Sequence, residues 1–235
     1  MSSDRASVVR DALDANDIFG GLAPELMEEL IGHGVTRRWK GAETIFRHDD
    51  PGESMMVVLE GRVKISTMTL DGKEVVLNFI DEGEVLGEIA LLDGKPRTAD
   101  ATAMEACELF ELRRRDLLPF LERHPEVAIR LIEAVCGKLR HTTRMVEDLM
   151  FLNMGPRVAR GLLRLAEEYG RRKGTSIRLD LKISQRDLGG YVGLARENIN
   201  RQLKNLKDQG LVSLEGGQIT ILDEEGLQAV ADSQD

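Results

Sequence analysis

The chain reads as an α+β protein in three parts: a compact antiparallel β-roll or jelly roll, one long helix, and a small helical unit closed by a hairpin. Three observations carry this. Between residues 44 and 112, short β-branched and apolar runs recur every eight to twelve residues, each closed by turn residues. Residues 126–152, EVAIRLIEAVCGKLRHTTRMVEDLMFL, hold no proline and one glycine and repeat apolar or small residues at alternating spacings of three and four. Residues 184–222 read as helix, glycine turn, helix and hairpin.

At 235 residues with 42% apolar content, the length suits one large or two smaller soluble domains. No apolar run approaches the roughly 18 residues of a membrane span, so none is expected. The opening MSSDRASVVRDALDAND lacks the apolar core of a signal peptide, so the expected location is the cytoplasm. Cys107 and Cys136 stand far apart without a metal-ligand spacing, and both are expected to be reduced thiols of the core or of a helix face. The expected metal set is empty. The net charge of −9 is unevenly spread. Residues 155–222 carry 13 Lys and Arg against 7 Asp and Glu, while the rest of the chain is acidic. A basic block on an acidic body is the asymmetry of a DNA-binding module attached to something else.

In chain order, residues 5–33 are amphipathic and helical, with Leu26, Leu30 and Ile31 on one face after Pro24. From Trp39 the period shortens. The strand candidates are Thr44–Phe46, Met55–Leu59, Val63–Ile65, Val75–Leu77, Val85-Leu86, Thr98–Thr102 and Leu109–Leu112. Turn signals at Asp50-Pro51-Gly52, Glu60-Gly61, Asp71-Gly72, Glu82-Gly83 and Asp93-Gly94 separate them. The long helix places Ile132, Val135, Leu139, Thr142, Val146 and Leu149 on a heptad seam, which predicts a pairing of two helices. Thr142-Thr143 is the irregularity in that seam. These hydroxyls either bond back to their own helix or serve a group outside it. Asn153-Met154-Gly155-Pro156 ends the helix and marks a hinge. A helix over 157–170, a basic loop over 171–174 and a short strand over 177–181 are expected next, and Gly216-Gly217 turns a closing hairpin.

The last unit has the layout of a winged helix-turn-helix. Ser184 suits an N-cap, with Asp187 three residues on. Leu188 and Val192 face inward, Gly193 permits the turn, and Ile199, Leu203 and Leu206 line the inner face of the second helix. Arg196, Glu197, Asn200, Arg201 and Lys204 are left outside, and Ser184 and Gln185 open the first helix on the DNA side. Arginine can fork onto guanine and glutamate can accept from cytosine, so Arg196-Glu197 is chemically able to read G·C pairs. Lys204, a turn later, suits phosphate. The stretch KISQRDLGGYVGLARENINRQLKNLKDQGL is similar to the helix-turn-helix of the cAMP receptor protein (catabolite activator) family, and Arg196, Glu197 and Arg201 match its base-reading positions. Ala195 stands where a phosphate-touching hydroxyl is usual and Asn198 where threonine is usual. The resemblance implies TGTGA-like half-sites in double-stranded DNA.

One segment of the β-roll carries further chemistry, Leu86-Gly87-Glu88-Ile89-Ala90 through Pro96-Arg97-Thr98-Ala99. Arg97 in apolar surroundings calls for an anion, Thr98 adds a hydroxyl to it, and Glu88 can accept from a sugar hydroxyl. The spacing equally suits an internal Glu88–Arg97 ion pair. The segment resembles the phosphate-binding cassette of cyclic-nucleotide-binding domains. That resemblance implies that Glu88 takes the ribose 2′-hydroxyl, that Arg97 and Thr98 take the cyclic phosphate, and that Gly87 and Ile89 complete the cassette. It also implies that Thr142 and Thr143 read the base, one from its own subunit and one from the partner. Thr98 and Thr143 replace serines of the family and keep the hydroxyl.

The expected division is a nucleotide domain over 1–125, a dimerisation helix over 126–153 and a DNA-binding domain over 154–235. The expected function is a cyclic-nucleotide-dependent transcription regulator acting as a homodimer, with cAMP as ligand, cGMP as second candidate, and RNA polymerase as an implied partner. The alternative keeps the fold and changes the effector to another small molecule or a redox group. An enzyme acting on cyclic nucleotides would need a metal or general-base cluster, and the sequence offers none, so no catalytic residue is assigned.

Overall fold

The computed structural model describes residues 3–233. They divide into two compact units, one running to Thr67 and taking in Leu77–Arg140, the other made of Met68–Val76 with the chain from His141 onward.

The first unit opens with helices α1 (Ser3–Asp14) and α2 (Pro24–His33). Pro24 sits in the first turn of α2, where its missing N–H satisfies nothing anyway. Met27, Leu30 and Ile31 are the residues α2 buries. Strands β1 (Val35–Trp39), β2 (Thr44–Phe46), β3 (Ser54–Glu60), β4 (Val63–Met68), β5 (Glu74–Ile80) and β6 (Val85–Leu86) follow, then α3 (Glu88–Asp93), β7 (Asp100–Ala103), β8 (Cys107–Arg113), α4 (Arg114–Arg123) and α5 (Pro125–Phe151). They build two four-stranded sheets, ordered β1-β8-β3-β6 and β2-β7-β4-β5. This is the antiparallel roll that the spacing of short strands predicts.

Strand β3 explains where the core lies. Six of its seven residues are buried, so its sequence SMMVVLE runs apolar without alternation. Met55, Val57 and Leu59 join Phe110 and Leu112 of β8 against α1, α2, α4 and the start of α5. Met56 and Val58 point the other way, with Leu109, Ala101 and Ala103, into the space between the sheets. Each such side chain contributes about 1.5–3 kcal/mol on leaving water, so the two-sided strand is the main anchor of the unit. β1 lies upstream of the change of period at Trp39. Its residues are exposed or half-buried, and it is defined by long-range pairing, Val35 with Glu111 through Trp39 with Cys107. Cys107 lies in the core between the sheets and Cys136 is half-buried on α5; both are free thiols.

In the second unit α6 (Met154–Tyr169) is followed by β9 (Gly170–Lys173), β10 (Ser176–Leu179), α7 (Gln185–Tyr191), α8 (Arg196–Asp208), β11 (Val212–Glu215), β12 (Gln218–Ile221) and α9 (Glu224–Ala231). The sheet order is β11-β12-β10-β9, a winged helix-turn-helix. Three features differ from the sequence expectation. The helix break falls at Leu152-Asn153, and Gly155-Pro156 lie inside the first turn of α6, where proline is tolerated because that turn's N–H groups have no helical partner. The expected basic loop is the edge strand β9, whose four exposed residues carry no apolar signal and which is held by pairing with β10. The acidic end holds α9, which Asp223 caps by accepting from Gly226 N at 2.9 Å and which buries Leu227 and Ala231. Among the described residues, no helix is long and apolar enough to cross a membrane.

Candidate nucleotide and DNA-binding sites

The cassette forms because β6 ends at a glycine. Gly87 adopts φ 81°, a left-handed conformation that costs a side-chain-bearing residue about 1–2 kcal/mol, and it starts α3. A Cβ there would also strike the Arg97 guanidinium. The two charged residues to which the cassette resemblance gives a role are both buried: Glu88 is 2% exposed and Arg97 4%.

Arg97 is fixed on three sides. Its Nη1 donates to the Gly87 carbonyl at 2.8 Å, its Nη2 donates to Ser54 Oγ at 3.1 Å, and its Cζ lies 4.3 Å from the centre of the Phe46 ring. Burial lowers its pKa, opposed by the carboxylates of Glu88, Glu111 and Asp50. Guanidinium starts so high that it stays charged. Its Nε is buried and has no hydrogen-bond partner among the described residues. Glu88 is paired with Lys138 of α5 rather than with Arg97. Lys138 Nζ stands 3.0 Å from Glu88 Oε1 and 2.8 Å from the Val85 carbonyl. The other oxygen, Oε2, is buried without a hydrogen-bond partner among the described residues. An unmet buried polar group costs about 1–3 kcal/mol. The cassette therefore holds one unmet donor and one unmet acceptor, the complement of an anion and a hydroxyl on one ligand.

Of the remaining cassette residues, Thr98 is exposed and Ile89 is 39% exposed, so both reach solvent beside the buried pair. Thr142 and Thr143 are exposed on α5 and belong to the second unit. Thr143 falls on a stripe of that helix formed by Ile129, Ile132, Cys136, Leu139, Val146 and Met150. Leu139 is 65% exposed, Ile132 57% and Met150 72%, large apolar surfaces that a single chain leaves in water. The expected seam shares Ile132, Leu139 and Val146 with this stripe. Of its other apolar members Val135 is half-buried, and Leu149 is 42% exposed with its side chain beside Gly193.

In the second unit Ser184 caps α7, accepting from Asp187 N at 3.0 Å, while its hydroxyl donates to the Asp187 carboxylate. Leu188 and Val192 are buried, and Gly193 turns the chain at φ 66°. Ile199, Leu203 and Leu206 seat α8. Arg196, Glu197, Asn200, Arg201 and Lys204 are all exposed on its outer side, with Ser184 and Gln185 exposed at the start of α7. Arg201 Nη2 donates to Asn198 Oδ1 at 3.1 Å, so the residue standing where threonine is usual orients a candidate base reader.

Sequence reasoning missed Lys138, Phe46 and Ser54. Lys138 carried a usable signal, since it stands one helical turn before Thr142. Ser54 and Phe46 come from strands far from the cassette in sequence, and only the sheet pairing assembles them.

Comparison with known proteins accords with this geometry. Residues 36–124 match the family model described as cyclic nucleotide-binding domain, and residues 156–230 match that of the Crp-like helix-turn-helix domain. The chain is similar to the CRP-like cAMP-activated global transcriptional regulator of Mycobacterium tuberculosis, with 29% identity over 210 residues, 89% of this chain and 94% of the relative. It is 30% identical to the solved catabolite activator protein of Thermus thermophilus, covering 94% of this chain and 100% of that one with a TM-score of 0.53. It is 26% identical to the c-di-GMP responsive global regulator CLP of Xanthomonas campestris, covering 86% and 99% with a TM-score of 0.74.

Proposed function

This chain belongs to the CRP/FNR family of DNA-binding transcription regulators, which are not enzymes, and from that premise we propose that it is a homodimer whose DNA affinity is set by a cyclic nucleotide, cAMP first and cGMP second. One observation carries the reading: the unmet Arg97 Nε and the unmet Glu88 Oε2 lie in one buried cassette. A cyclic nucleotide brings a phosphate anion for the first and a ribose 2′-hydroxyl for the second. In this reading Gly87 lends backbone, Ile89 walls the ligand, Thr98 adds a hydroxyl to the phosphate, and Thr142 and Thr143 recognise the base. Relatives described as cAMP-activated favour cAMP.

The exposed stripe of α5 supports the dimer, because pairing two copies removes Ile132, Leu139, Val146 and Met150 from water. A two-fold dimer carries two α8 helices and so selects inverted repeats, for which TGTGA-like half-sites suit Arg196 and Glu197. RNA polymerase is the partner such a regulator acts through. The ligand must bind the DNA-competent form more tightly than the other, or it shifts nothing.

A second reading keeps the site and changes the nucleotide, favoured by the relative described as c-di-GMP responsive. Calorimetric titration of the full chain with cAMP, cGMP and c-di-GMP, then DNA binding at fixed salt with each, separates the two. DNA affinity indifferent to cAMP and cGMP would falsify the first.

A further inference from the structure

Two residues separate the end of helix α5 from the start of α6, and a buried acid stands just short of that joint. Asp148 is 3% exposed, while its neighbour Glu147 is exposed. Its Oδ1 accepts from Arg160 Nη1 at 3.1 Å, and its Oδ2 accepts from Arg164 Nη1. Each oxygen therefore has its own arginine, which fixes the direction of the carboxylate as well as its distance.

Both arginines reach onward. Arg160 Nη2 donates to the Ala231 carbonyl at 3.2 Å and stands 3.8 Å from Asp232 Oδ1, at the end of α9. Arg164, 8% exposed, has its Cζ 5.7 Å from the centre of the Tyr191 ring in α7. The next residue of α5, Leu149, lies against Gly193 in the turn before α8. Arg157, Arg160 and Arg164 share one face of α6 at spacings of three and four, so three cations surround a single buried carboxylate. Burial lowers the Arg157 pKa, and the Asp148 charge opposes that.

A buried ion pair is a weak way to gain stability compared with apolar packing, yet losing one partner strands a charge. Its value here is geometric. The two-residue joint at Leu152-Asn153 would by itself let α5 turn without moving the rest of the unit. With Asp148 held by Arg160 and Arg164, a rotation of α5 is passed to α6, α7 and α9. Thr142 and Thr143 lie less than two turns upstream on the same helix.

We infer that Asp148 is a positioning residue for DNA recognition, a clamp that makes the end of α5 and the helix-turn-helix move as one body and so passes the effector state of α5 to α8. This rests on the cyclic-nucleotide reading above. The test uses full-length dimer and a DNA duplex selected by the wild-type protein from a randomised pool. Fluorescence anisotropy gives DNA affinity with and without saturating cAMP, and calorimetry gives cAMP binding. The wild-type ratio is expected within the about 5- to 150-fold range of ordinary coupling, and Asp148→Asn is expected to bring it to within about twofold of unity while still binding cAMP. A merely structural role would lower the melting temperature and leave the ratio alone, and that result overturns the clamp. If Asp148→Asn gives no folded dimer by circular dichroism, Arg160→Met, which leaves Arg164 on the carboxylate, is judged by the same ratio. A reduced ratio supports the clamp and an unchanged one removes it. Wild-type protein that does not titrate with cAMP overturns the effector reading itself, and the calorimetry alone tells that failure apart.

Discussion

Lys138 Nζ lies 3.0 Å from Glu88 Oε1, so the long helix grips the cassette carboxylate directly. Lys138→Met keeps most of the side-chain stem and removes the charge, leaving a 2%-exposed carboxylate without its cation. The lysine side chain is 29% exposed, which lowers the cost below that of a fully buried pair. The expected loss is about 1–3 kcal/mol in urea denaturation at neutral pH. Glu88→Gln in the same chain should recover part of it, and a double variant no more stable than Lys138→Met would show that the pair is not coupled.

Arg97→Gln removes the cation of the cassette. Its expected effect is a loss of about 1.5–3 kcal/mol of cAMP affinity, roughly ten- to hundredfold, read by calorimetry. The bonds to Gly87 and Ser54 are lost with it, so the melting temperature should fall modestly and the circular dichroism spectrum should stay native. Wild-type affinity in this variant would remove Arg97 from the phosphate role.

Leu139→Glu tests the stripe on α5. At 65% exposure the leucine contributes little to the fold of one chain, but in a two-fold pairing the variant sets two carboxylates against each other. Sedimentation velocity at micromolar concentration should report monomer, with an unchanged far-ultraviolet spectrum. A variant that sediments as the wild type does would place the dimer contact elsewhere.

Arg196→Ala and Lys204→Ala should fail differently. The first is expected to cost about 1–3 kcal/mol at one base position and to relax specificity there. The second should weaken every sequence alike and reduce the slope of log affinity against log salt by about one. Equal losses on all duplexes for Arg196→Ala would make it a phosphate contact instead.

Where local chemistry decides the outcome, the sequence was legible. The turns at Gly87 and Gly193, the Ser184 cap and the inward row Ile199, Leu203 and Leu206 each follow from residue type and spacing alone. What stayed hidden depends on contacts far along the chain. Strand β1 exists because β8 pairs with it, and β9 because β10 does. The Glu88–Arg97 pair that spacing allowed gives way to Lys138, fifty residues downstream of Glu88. On α5, period alone does not show that Leu149, 42% exposed, also has its side chain beside Gly193.

The two-sided burial of β3 has a consequence for how the chain finds its pairing. The run Met55-Met56-Val57-Val58 repeats each residue type, so a slip of one position exchanges methionine for methionine and valine for valine on one face of the strand. Apolar burial therefore distinguishes the registers chiefly at the strand ends, where a slip would bring Glu60 to the buried position of Leu59 or Ser54 to that of Met55. Two further features fix the register: the irregular pairing between Val58 and Glu60, and the Ser54 hydroxyl that accepts from Arg97. The serine that orients the candidate phosphate arginine thus also indexes the central strand, which ties correct assembly of the roll to correct assembly of the cassette.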